Sequence, residues 1–144
     1  MKQLSLLLLL LSCSYWTLAQ NTSMLGKNIK EVKDYMMTQQ DLTLLDQRSV
    51  KFGDLVTSAL IYEADTDTKF SFFFPLVLGS TGPCVFMFIN EHPSMYESER
   101  KSLNYKYKEI ARDLWESNDG SFTVRLVKRE EALGGLEIQI VAKN

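Results

Sequence analysis

Histidine is nearly absent: His92 is the only one in 144 residues. A structural zinc site takes three or four Cys, His or carboxylate ligands, so here it would have to be built almost wholly from Asp and Glu. Cysteine is scarce too, with only Cys13 and Cys84. Cys13 falls in an apolar N-terminal stretch. If that stretch is removed, Cys84 is left single, and no intramolecular disulfide can form. No Gly-x-Ser-x-Gly elbow is present. The loop Gly79, Ser80, Thr81, Gly82, Pro83 lacks the following Lys-Ser or Lys-Thr of a phosphate loop and leads into an apolar run of strand character. Neither sign of charge dominates: 16 Lys and Arg face 18 Asp and Glu, a net charge of −2. That balance excludes a general electrostatic attraction for nucleic acid or anionic lipid. Beyond the N-terminus no apolar run reaches the roughly 20 residues that cross a bilayer as a helix, so no transmembrane helix is expected in the mature chain.

The first residues carry the clearest signal. Met1, Lys2 and Gln3 precede a leucine-rich run from Leu4 to Leu11, and Thr17 and Ala19 stand before Gln20. A charged start, a short apolar middle and a small-residue exit make residues 1–19 a bacterial-type signal peptide, cleaved before Gln20. The product is then expected in the periplasm or outside the cell. Leu10, Leu11, Ser12 and Cys13 also resemble the lipobox of bacterial lipoproteins, which implies an alternative product lipidated at Cys13 and anchored to a membrane. The small-residue exit is the more specific match. Cleavage there leaves 125 residues with 15 basic and 18 acidic side chains, enough for one domain over one core. Residues 20–28 read as a flexible start and 29–144 as the domain.

Along that domain, Leu25, Ile29, Val32 and Met36 recur at helical spacing, and Asn28 with Glu31 forms a capping box. This predicts a helix over 29–39. Residues 42–45 and 57–63 favour strands, and the stretch between them is undetermined. A polar turn at 65–68 joins the second of these to the phenylalanine-rich 69–77 as a hairpin. The run 84–90 is apolar on both alternating faces, which predicts a strand covered on both sides. Ser94 with Glu97 suggests a second capping box, and Leu103, Tyr107, Ile110, Ala111 and Leu114 extend a helical stripe, so a helix over 95–116 is expected. Alternation at Phe122, Val124 and Leu126, and again at Leu136, Ile138 and Ile140, predicts a last hairpin turning at Gly134 and Gly135. The fold class is therefore α+β, a mostly antiparallel sheet of about five to six strands with two helices, in the order α-β-β-β-β-α-β-β.

Candidate chemistry is sparse. Glu91 and His92 lie at the junction of the apolar strand and the second helix, where loops host sites disproportionately. They could serve as a base pair or as half a metal site. The bland alternative is a turn residue placed before Pro93, which needs an extended predecessor. Cys84 and His92 would sit at opposite ends of one strand, which argues against a nucleophile and base. Asp65 and Asp67 lack the glycine and terminal glutamate of a calcium loop. The aromatic set Phe70, Phe72, Phe73, Phe74, Phe86 and Phe88 is dense, and three successive phenylalanines cannot share one face of a strand. Either both faces are covered or aromatic surface is left over for a ligand. The resulting expectation is a non-catalytic binding module of the bacterial envelope. It would take an unknown protein or a small apolar ligand through Phe72 and the loop residues Glu91, His92 and Tyr96, with no cofactor and no metal. The competing expectation is an envelope hydrolase or metal-dependent enzyme built on Glu91 and His92.

Overall fold

The computed structural model describes residues 22–64, 68–129 and 135–143. The expected signal peptide at 1–19, the expected turn with Asp65 and Asp67, and Gly134 of the expected last turn lie outside them. Helix α1 spans Ile29–Met37. Asn28 Oδ1 accepts from the Glu31 N–H at 2.9 Å, and Glu31 Oε2 accepts from the Asn28 N–H at 2.8 Å. The expected capping box thus starts this helix, and Val32 and Met36 form its buried stripe. Of the stretch 20–28, expected to be flexible, the structure describes residues 22–28. Met24 is buried, and the backbone of Gly26 and Lys27 exchanges hydrogen bonds with Cys84.

Strands β1 (Thr43–Phe52) and β2 (Leu55–Glu63) follow as one long hairpin through Gly53 and Asp54. Gly53 has φ 58, as the first central position of a two-residue hairpin turn requires. Next come β3 (Lys69–Val77), the two-residue β4 (Ser80–Thr81) and β5 (Phe86–Glu91). A 3₁₀ turn at Pro93–Met95 leads into helix α2 (Tyr96–Lys106). Four further strands close the chain: β6 (Lys108–Ala111), β7 (Leu114–Glu116), β8 (Phe122–Lys128) and β9 (Leu136–Ala142).

All pairings are antiparallel, in the order β1-β2-β3-β5-β9-β8-β7-β6, with β4 paired to β3. The α+β class and the two helices stand. The strand count rises to nine among the described residues because the three short strands β4, β6 and β7 join the sheet, while the undetermined stretch before residue 57 lengthens β1 and β2. Two meanders meet at the β5–β9 seam, and α2 spans the gap between them in sequence.

Helix α2 stops ten residues before its expected end, and 108–116 forms the β6–β7 hairpin instead. Tyr107 turns extended, at φ −130 and ψ 163. The reason is Trp115. Folding back as a strand buries its indole completely and lets Nε1 donate to Asn104 Oδ1 at 2.8 Å, a burial worth about 2–3 kcal/mol. Ile110, counted in the helical stripe, is left 45 % exposed. The second capping box is also absent, since α2 begins after Met95 with no side-chain cap.

Both helices lie on one face of the sheet. Val32, Met36 and Leu103 join Leu60, Tyr62, Phe70, Phe72, Phe74, Met87, Ile89, Trp115, Val124, Leu126, Leu136, Ile138 and Ile140 in one continuous core. The alternate residues of the same strands point the other way. On that second face Phe86 and Phe88 of β5 are half-buried, and among the described residues no helix lies over them.

Candidate functional site: the open face of the sheet

Register fixes what the second face carries. Ala59 of β2 stands opposite Phe73 of β3, Phe73 opposite Phe86 of β5, and Phe86 opposite Val141 of β9. One step along, Ser71, Phe88 and Gln139 form the next row. Phe52, at the tip end of β1, completes the group by lying edge-on to three rings. Its centroid is 5.2 Å from Phe73, 5.1 Å from Phe86 and 6.1 Å from Phe88, with interplanar angles of 81–86°. Phe73 and Phe86 stack at 4.7 Å and 20°. Such pairs add about 0.5–1.5 kcal/mol each beyond burial, so four rings hold one another in place.

The group is not sealed. Phe52 keeps 36 % of its surface exposed and Val141 42 %, while Phe73 beneath them keeps 4 %. Beside the rings, on β9, Glu137 is nearly buried and its Oε1 accepts from Arg129 Nη2 at 2.7 Å and from Gln139 Nε2 at 2.6 Å. An aromatic surface bordered by a fixed Arg–Glu–Gln set can offer apolar area together with oriented polar groups, the usual composition of a recognition surface.

The residues singled out from sequence are placed as follows. Phe72 is fully buried in the helix-side core and presents nothing to the surface; its neighbour Phe73 takes the open side. His92 is exposed, and its Nδ1 lies 2.8 Å from Ser94 Oγ and accepts from the Ser94 N–H at 3.3 Å, capping the 3₁₀ turn. Glu91 is half-buried at the end of β5, opposite Leu136. Tyr96 belongs to a polar clamp: its hydroxyl donates to Asp113 Oδ1 at 2.6 Å, Arg100 Nε donates to the same oxygen at 3.2 Å, and Lys128 Nζ sits 3.6 Å over its ring. The Asp113 hydrogen bond, followed by burial, raises the Tyr96 phenol above its ordinary range. This clamp ties α2 to the β6–β7 turn, where Asp113 takes φ 57 and its carbonyl accepts from the Leu126 N–H.

Among the described residues no three His, Cys, Asp or Glu side chains gather as a metal ion would need. Cys84 is buried, and burial pushes its thiol up to about 12. Glu99 of α2 is also buried, which raises its carboxyl. No helix among the described residues is long and apolar enough to cross a membrane. Sequence reasoning missed Phe52, Arg129, Glu137 and Gln139. Phe52 lies in the stretch that showed no clear period, and the polar trio meets only through the β8–β9 hairpin. The chain matches no protein-family model, no curated protein and no solved structure.

Proposed function

We propose that this chain is a non-catalytic binding module exported to the bacterial cell envelope, and that it recognises a protein or a small apolar ligand through the open face of its sheet. Export rests on the charged start, leucine run and small-residue exit of 1–19. Recognition rests on one observation above others: Phe52, partly exposed, lying across Phe73, Phe86 and Phe88 on the side away from both helices. A monomer leaves aromatic surface uncovered at a cost in solubility, so a clustered, bordered patch favours use in contact. His92, the residue an enzyme reading leans on, is engaged in capping a turn.

The test is a fluorescence titration with an anilinonaphthalene sulfonate probe on the native protein. Saturable binding is expected, weakened roughly tenfold by Phe52→Ser, the loss that about 1.4 kcal/mol of aromatic contact produces. His92→Ala is expected to leave it unchanged. Binding that ignores Phe52→Ser, or none at all, would remove the open face as the recognition surface.

A further inference from the structure

Among the described residues the sheet ends on one side in β1 and on the other in β6. These edges differ. Strand β6 has only four residues, interrupted by a bulge between Glu109 and Ala111, and short, irregular edges resist further pairing. Strand β1 has ten residues, and its only irregularity falls between Leu44 and Asp46. From Asp46 to Phe52 it is regular and exposed except at the half-buried Asp46 and Val50, and among the described residues no strand pairs with its outer side.

Hairpin geometry says which backbone groups are on offer. Phe52 and Leu55 flank the two-residue turn and form a hydrogen-bonded pair. By alternation Val50, Arg48 and Asp46 also bond inward to β2, so the N–H and C=O groups of Gln47, Ser49 and Lys51 point away from the sheet. The side chains of Asp46 and Arg48 lie on one face, 3.5 Å apart, and both are well exposed.

We propose that β1 pairs antiparallel with β1 of a second copy, about a two-fold axis through Gln47. This inference is independent of the open-face reading. Charge selects the register. Centring the axis on Gln47 places Asp46 of each copy opposite Arg48 of the other, twice over, in non-hydrogen-bonded positions where side chains come closest. Moving the axis to Arg48 sets arginine against arginine, and moving it to Asp46 sets carboxylate against carboxylate. Gln47 then pairs with itself, its outward N–H and C=O groups exchanged across the axis. The axis stands perpendicular to the sheet, so both open faces lie on the same side of one continuous sheet. Because the bulge ends the regular stretch next to Asp46, the pairing is short and the dimer is of the weak, concentration-dependent kind.

Sedimentation equilibrium of the mature protein over a wide concentration range, with circular dichroism confirming the fold of each variant, tests this. The wild-type protein is expected to show a monomer–dimer equilibrium. Asp46→Arg alone and Arg48→Asp alone each put like charges opposite and are expected to raise the dimer Kd about tenfold or more. The exchanged double variant Asp46→Arg, Arg48→Asp restores the complementary pairs and is expected to return to within about threefold of wild type. A wild type that stays monomeric throughout, single variants that dimerise like wild type, or a double variant as weak as the singles would each overturn the proposal.

Discussion

Cys84 illustrates how little a residue's type says of its role until its surroundings are known. A lone thiol can be a nucleophile, a redox sensor or a small apolar filler, and exposure with thiolate character decides among these. Here the side chain is 1 % exposed, and its pKa is pushed up to about 12 by burial. The native thiol ionises at higher pH than the unfolded one, so its contribution is fully present below about pH 9 and is lost as pH rises from there toward 12. Urea unfolding of the wild type between pH 8 and about 11 is expected to show a steeper alkaline decline than Cys84→Ala, whatever the offset between the two at pH 8. Equal slopes would mean that the thiol titrates normally in the native state. His92 and Tyr96 make the same point with different chemistry: each was a candidate ligand-binding group, and each is engaged in holding a turn or a helix end.

Among the elements, the β8–β9 hairpin and the β5–α2 connection are fitted to one another at Gly135. This residue has φ 65, and a Cβ there would lie 2.8 Å from both Cγ and Cδ of Pro93 and 3.3 Å from the Glu91 carbonyl. Gly120 has a similar φ of 71 but open space around it. Gly120→Ala is therefore expected to cost about 1 kcal/mol, the strain of the left-handed conformation alone. Gly135→Ala is expected to cost at least about 2 kcal/mol, since the ring of Pro93 must also move. Chemical denaturation of the two variants separates strain from crowding, and equal losses would mean that the Pro93 contact is slack. Helix α1, β8 and β9 were legible in the sequence because each carries one clean period and, for α1, a capping box. The β6–β7 hairpin was not. Tyr107, Ile110, Ala111 and Leu114 sit at helical spacing, and only the burial of Trp115 against the core reveals that the chain folds back. Strand β1 was half legible for a related reason. As an edge strand with little buried surface it shows no alternation, and its bulge shifts the register between Leu44 and Asp46.

At the scale of the whole molecule, the described residues form two layers, with helices covering one side of a broad sheet. The dense phenylalanines were visible from the start, and their number was ambiguous between a doubly covered strand and leftover aromatic surface. Among the described residues, the helices cover one side and the ring of Phe52 lies over the other. That asymmetry could not be read locally, because Phe52 reaches Phe86 and Phe88 only after β1, β2, β3 and β5 have paired in order. The proposed function follows from this distribution of cover over the two faces. The most direct measurement is site-specific photocrosslinking in expressing cells, with benzoylphenylalanine placed at Phe52 on the open face or at Lys101 on the exposed side of α2. A discrete adduct from position 52 and none from position 101 is expected. Adducts from position 101 alone, or equal smears from both, would contradict recognition through the open face of the sheet.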